Sequence, residues 1–247
     1  MPRLEAPATV SRPCDQPTRE DQDLVTINAP KPRRRTPHKR DAEATRRRIL
    51  DAACHAFAQH GLSGARIDQI AQAAEANVQM IYRYFGGKQE LYLAALEDTY
   101  ARIRAHERQL DLSTQPPEEG MRRLVEFTFD YLRDNPDFVA MIRNENIASG
   151  RFARTLPMVS DTTLPLLEAI DDLVARGRAS GAFKTEIDPA QLYVTIMSLA
   201  ITHLSQRHTL SAMFQRDLGD ADWLNERRAH AVEVVMTYLT APRAAGH

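Results

Sequence analysis

Beyond about residue 41, apolar positions recur every three or four residues in segments separated by proline, glycine and polar clusters. Runs alternating with period two are missing, which argues against sheets. The first segment, Asp41 to His60, sets Ile49, Leu50, Ala53 and Phe57 on one face. Two short segments follow, Ile67 to Ala74 and Val78 to Phe85, too short to be stable alone. Glu75, Ala76 and Asn77 part them, and Asn77 is a good cap for the second because its side-chain oxygen accepts an orphan backbone N–H. Gly86 and Gly87 stop it. Further helices are predicted over Gln89–Leu110, Glu118–Asp134, Asp137–Ile147 and about Thr155–Ala179, with Pro165 in the first turn of the last. Ala190–Gln206 is apolar almost all round, the mark of burial on both sides, and Asp222–Thr240 follows a polar loop. The expected fold is all-α, with about nine helices.

A helix, a three- or four-residue turn and a second helix is the arrangement that seats the second helix in a major groove. In that case Asn77, Gln79 and Arg83 are best placed to read bases or reach phosphates, and Val78 and Met80 to touch thymine methyls. Ile81 and Phe85 point inward. Arg66, at the entry to the first short helix, is a phosphate candidate.

A net charge of −1 does not mark a nucleic-acid binder, but the charge is uneven. Lys31, Arg33, Arg34, Arg35, Lys39, Arg40, Arg46, Arg47 and Arg48 gather just ahead of the two short helices. Residues 1–40 are rich in proline and charge and poor in large apolar groups, so they are expected to be a disordered tail with a basic end able to lie along phosphates. Residues 41–95 would form the helix-turn-helix domain, and 96–247 a sensing and dimerising domain.

The two cysteines, Cys14 and Cys54, are far apart and outside any CxxC, which speaks against a disulfide framework or a zinc site, and no metal or cofactor is expected. No run of 18 apolar residues suggests a membrane span and no secretory signal opens the chain, so a cytoplasmic location is expected. Nothing matches G-x-S-x-G, a phosphate-binding glycine loop or H-E-x-x-H, and the carboxylates are scattered, so an enzyme is not expected.

The anchors Ile49, Ala52, Phe57, Gly61, Ile70-Ala71, Ile81-Tyr82, Phe85 and Lys88 with Leu91 stand in register over about fifty residues from Thr45 to Glu97. In that pattern the chain resembles the DNA-binding domain of the TetR family of bacterial transcriptional regulators. The resemblance implies that Tyr82 and Tyr84 offer hydroxyls to phosphate or base and that Lys88 clamps the DNA backbone. It also implies a homodimer built on the last two helices, a double-stranded and palindromic operator, and a small-molecule effector. A repressor is expected, with a transcriptional activator of the same family or a helical architectural nucleic-acid-binding protein as alternatives. The chain departs from the family at the turn, where Glu75 replaces a glycine, at Arg66, and at Val78-Gln79-Met80.

In the C-terminal half, polar and aromatic groups at helical core positions are candidates for the effector site. They are Phe127, Tyr131, Met141, Asn144, Glu145, Tyr193, Met197 and His203. The segment FTFDYLRDNPDFVAMIRNEN is similar to a subgroup that includes a repressor of nicotinate degradation, a similarity too diffuse to assign the ligand.

Overall fold

The computed structural model describes residues 37–242, and the basic N-terminal segment read as a tail lies outside them up to residue 36. Among the described residues there are ten α-helices, one short 3-10 turn and no strand. The helices are α1 (Pro37–Gly64), α2 (Ile67–Ala73), α3 (Val78–Phe85), α4 (Lys88–Arg108) and α5 (Pro117–Asp134). They continue with α6 (Pro136–Ile147), α7 (Pro157–Ala179), α8 (Pro189–Ser205), α9 (Arg207–Phe214) and α10 (Ala221–Thr240).

Two features differ from the sequence reading. Residues Arg207–Phe214, expected as loop, form α9, a helix with no buried side chain. Leu210, Met213 and Phe214 recur at helical spacing, but over little more than one turn, and Met213 and Phe214 stay exposed. Pro165 lies inside α7 rather than in its first turn, which Pro157 occupies. The helix therefore starts one proline earlier, where the absent N–H is harmless, and tolerates a second proline further on.

The apolar faces meet in two cores. One joins α1, α2, α3 and the first half of α4 to Met141 of α6 and Phe152. Ile49, Ala53, Phe57, Ile81, Leu91, Ala95 and Leu96 are sealed in it. Cys54 packs there as a small apolar residue, its thiol pushed up to about 11 by burial and by Asp98, so it is not a nucleophile at neutral pH. The other core gathers α5, α7, α8 and α10 around Leu124, Phe129, Ile170, Leu173, Ile196 and Leu239. α4 reaches both, through Leu91 to Leu96 in the first and Ile103 in the second.

α8 is not buried all round. Leu192, Ile196, Ala200 and His203 point inward, whereas Val194 is 60% exposed, as is Tyr238 of the neighbouring α10 at 48%. His203 is fully enclosed, stacked on Phe129 at 5.0 Å and beside Trp223 at 5.5 Å, and neither ring nitrogen has a hydrogen-bond partner. Burial, helped by the charge of Arg227, lowers its pKa from about 6.5 to about 4. The folded state thus resists protonation that the unfolded state accepts. His203 leaves stability intact above about pH 6.5 and erodes it as pH falls towards 4. Urea denaturation at pH 7 and pH 5 should show a smaller acid loss in His203→Leu than in the wild type; equal losses would show that the imidazole titrates normally.

Candidate nucleic-acid interface

The geometry around α3 starts at a turn. α2 ends in two backbone bonds, Ala76 N–H to the Ala71 carbonyl at 2.9 Å and Glu75 N–H to the Gln72 carbonyl at 3.1 Å. That double closure requires a left-handed residue at its pivot, and Glu75 takes it with φ 49°. Asn77 then caps α3, its side-chain oxygen accepting the Gln79 N–H at 2.9 Å. Ile81 is wholly buried and clamps α3 to the core. Gly86, at φ 95°, ends the helix with its N–H on the Tyr82 carbonyl.

With Ile81 inside, the opposite side of α3 is fixed. Gln79, Met80, Tyr82 and Arg83 are exposed and share one face, with Tyr82 55% accessible. Val78 and Tyr84 are half-buried and partly packed against the core, so they flank this face. Asn77 is exposed but spends its oxygen on the cap. Lys88 donates to the Ser63 carbonyl at 3.2 Å, which ties α4 to the end of α1 and leaves two ammonium donors. Arg66 is not a free cation, because its guanidinium bonds both oxygens of Asp68, at 2.8 and 3.2 Å.

Two α1 cations assist. Arg46 lies over the Phe85 ring at 4.9 Å, at the end of α3, and Arg48 donates to the Ala74 carbonyl at 3.2 Å. The basic block was visible in sequence, but which of its members reach α2 and α3 depends on how α1 crosses them.

The candidate effector residues fall into separate groups. Met141, Asn144 and Glu145 face the N-terminal helices. The Asn144 amide donates to the Phe57 and Ala58 carbonyls, both at 3.0 Å, and so binds α6 to α1. Glu145, 3% exposed, accepts the Tyr92 hydroxyl at 3.0 Å and the Phe152 and Ala153 N–H groups at 2.7 and 2.9 Å. Burial and the Glu145 charge push the Tyr92 phenol well above its ordinary range. Asn144 and Glu145 thus join α6 to the N-terminal helices, and Asn144 also lines an open cleft of about 800 Å³ with Lys88, Tyr92 and Arg151. Phe127 and Tyr131 pack together at 5.6 Å, and Tyr131 lines an open cleft of about 600 Å³ with Arg102, Asp137 and Arg143. Met197 and His203 belong to the second core.

Tyr193 meets residues that sequence reasoning missed. Its hydroxyl accepts Arg104 Nη2 at 3.1 Å, and Arg104 Nη1 meets Glu107 Oε2 at 2.5 Å. Arg104 and Glu107 are each 5% exposed. Their helical phase was the available signal, since Leu96, Thr99, Ile103 and Glu107 step three or four residues along one face of α4.

Comparison with known proteins agrees with this arrangement. Residues 49–95 match the model of bacterial regulatory proteins of the tetR family, and residues 117–235 match the tetracyclin repressor-like C-terminal domain. The chain is 37% identical over 187 residues to the HTH-type transcriptional repressor NicS of Pseudomonas putida, covering 74% of this chain and 88% of that protein. It is also 37% identical over 113 residues to the repressor SCO4008 of Streptomyces coelicolor, covering 45% of this chain and 54% of the relative. Among solved structures, the transcriptional regulator SCO4942 of Streptomyces coelicolor superposes with a TM-score of 0.59 at 24% identity, over 80% of this chain and 99% of that one. FadR of Bacillus subtilis, solved with stearoyl-CoA, superposes with 0.59 at 16% identity, over 78% and 98%.

The Glu75 pivot is strained, since a left-handed backbone costs a residue with a Cβ on the order of 1 kcal/mol. Glu75→Gly should therefore raise unfolding stability by about 0.5–1 kcal/mol in urea titrations, even though glycine usually weakens a chain. A loss of stability would mean that the Glu75 side chain holds the turn.

Proposed function

Because the chain belongs to the tetR family of bacterial regulatory proteins, it is a DNA-binding transcriptional regulator, and we propose that it represses its target promoter as a symmetric pair until a small molecule releases it. The observation that carries the DNA-reading half of this proposal is the exposed quartet Gln79, Met80, Tyr82 and Arg83, held outward by the burial of Ile81 beneath it. Gln79 suits adenine, Arg83 guanine or phosphate, and Met80 a thymine methyl. Tyr82 and Tyr84 supply hydroxyls, Lys88 and Arg46 neutralise phosphates, and Val78 fills the flank of the groove. Asn77 serves chiefly as the cap, and Arg66, already paired with Asp68, contributes least.

The pairing surface is the outer side of α8 and α10, where Val194 and Tyr238 remain exposed beside each other's helices. Two copies packed there form a four-helix interface and present two α3 helices to a palindromic operator. Among the described residues no helix is long and apolar enough to cross a membrane, which accords with the proposed cytoplasmic site of action. The chain acts by binding rather than by catalysis. Repression is preferred to activation because the most extensive similarity above is to a repressor, although a relative at 26% identity over 132 residues is the transcriptional activator FasR of Mycolicibacterium smegmatis.

Gel shifts on the chain's own promoter and on random duplex separate the contacts. Lys88→Ala should weaken both by a similar factor, whereas Gln79→Ala should cost about 1–3 kcal/mol on the promoter and little on random DNA. Equal losses for Gln79→Ala on the two duplexes would remove its base-reading role.

A further inference from the structure

α9 carries an apolar ridge that the described residues leave open to solvent. Leu210, Met213 and Phe214 stand three and four residues apart on one side of the helix, with Met213 72% and Phe214 61% exposed. A helix of eight residues is not stable alone, and this one is held by contacts that avoid the ridge. Ser211 Oγ accepts the Leu218 N–H at 3.1 Å, the Ser211 carbonyl accepts the Arg216 N–H at 3.1 Å, and Arg207 pairs with Asp217 at 3.0 Å. Leu218 is buried and anchors the turn that follows. One exposed apolar side chain is ordinary, but a fixed helix presenting two large ones side by side marks a contact surface.

A matching groove lies elsewhere on the same chain. The start of α8 and the end of α10 border a groove of about 470 Å³, whose apolar lining is Ile187, Leu192, Val234, Val235 and Tyr238. The two helices are therefore antiparallel, and α9, which follows α8 and precedes α10, sits at the opposite end of the pair. The 17 residues of α8 span about 25 Å, which keeps the ridge out of its own groove. Between these two apolar ends the exposed positions are polar or small, with Ser198 and Thr202 on α8 and Ala229, His230 and Glu233 on α10. The charges match as well. Glu186 and Asp188 stand at the groove, while Arg207, His208 and Arg216 flank the ridge, the last held only loosely by Glu226 at 3.6 Å.

We propose that the α9 ridge of one copy enters the α8–α10 groove of a second copy, with Met213 and Phe214 filling it, and that the exchange occurs twice across the dyad. A two-fold axis crossing α8 and α10 near their middles sets the start of each α8 against the end of the other, so ridge meets groove at both ends. The inference rests on the reading of the chain as a regulator paired through α8 and α10, and it names the segment that locks the pair. An aromatic anchor seated in a pocket carries much of the energy of such an interface.

Both ridge residues face solvent in the single chain, so Met213→Asp and Phe214→Asp should leave its fold intact, as circular dichroism will read. Sedimentation equilibrium should then show each raising the dimer dissociation constant at least about tenfold. Cross-linking reads the direction of pairing and does not depend on the Asp variants folding. In a Cys14→Ser background, with Cys54 buried, coexpressed Phe214→Cys and Thr195→Cys chains should form a disulfide-linked dimer under mild oxidation, and neither variant alone should do so. Cross-linking of Thr195→Cys alone would set the two grooves face to face and overturn the proposal, as would unchanged dissociation constants in folded Asp variants. Either result in a sample that still shifts its promoter DNA leaves the regulator reading standing. The expected cross-link in a sample that ignores its promoter would support the contact and sink the regulator reading. A wild-type chain that stays monomeric at micromolar concentration would overturn the contact together with the pairing through α8 and α10.

Discussion

One buried carboxylate fastens α6 to the α1–α4 framework that carries α3. Glu145 of α6 holds the Tyr92 hydroxyl of α4 with one oxygen and two backbone N–H groups of the following segment with the other. A carboxylate so enclosed is tolerable only because all three donors converge on it, and losing one leaves a charge stranded in a poorly polarisable interior. Around it the Tyr92 ring meets Phe57 and Phe152 edge-on, each at 5.1 Å, and the neighbouring Asn144 donates to the Phe57 and Ala58 carbonyls of α1. The α6 end of the helical body is therefore fastened to the α1–α4 framework by directional bonds as well as by apolar contact.

α4 carries the consequence. Its first residue, Lys88, grips the end of α1; its middle places Tyr92 against Glu145; and its last turns hold the buried pair Arg104 and Glu107. A helix of 21 residues is roughly 30 Å long and moves as a rod. Along its outer side Arg47, Asp51, Asp98 and Arg102 interlock α1 with α4, at distances of 2.5 to 2.8 Å. These half-exposed pairs add modest stability, but they fix the relative placement of the two helices. A ligand that altered the last turns of α4 would be felt at α3 only through this rod and the Glu145 joint, which gives the coupling a definite physical route.

Much of this was legible in the sequence where local rules decide the structure. Asn77 behaves as the cap its side chain suggests, Gly61 interrupts α1 at φ 63°, and the Ile81 phase dictates the outward face of α3. Legibility fell where long-range packing overrode local rules. Arg104 and Glu107 were passed over because charged residues usually face water, and only the pairing across α4 with Tyr193 makes their burial tolerable. Met141, Asn144 and Glu145 stood out in the sequence as effector-site candidates, but their contacts with α1 and α4 depend on packing that no local pattern reveals. α9 was passed over because its apolar positions, Leu210, Met213 and Phe214, span little more than one turn between polar residues.

A double-mutant cycle with Tyr92→Phe and Glu145→Gln, followed by urea denaturation of the full chain, probes the joint directly. A coupling of about 1–3 kcal/mol between the two positions is expected, with the double variant little worse than Glu145→Gln alone. Losses that simply add would contradict the view that this carboxylate and phenol act as a single fastening.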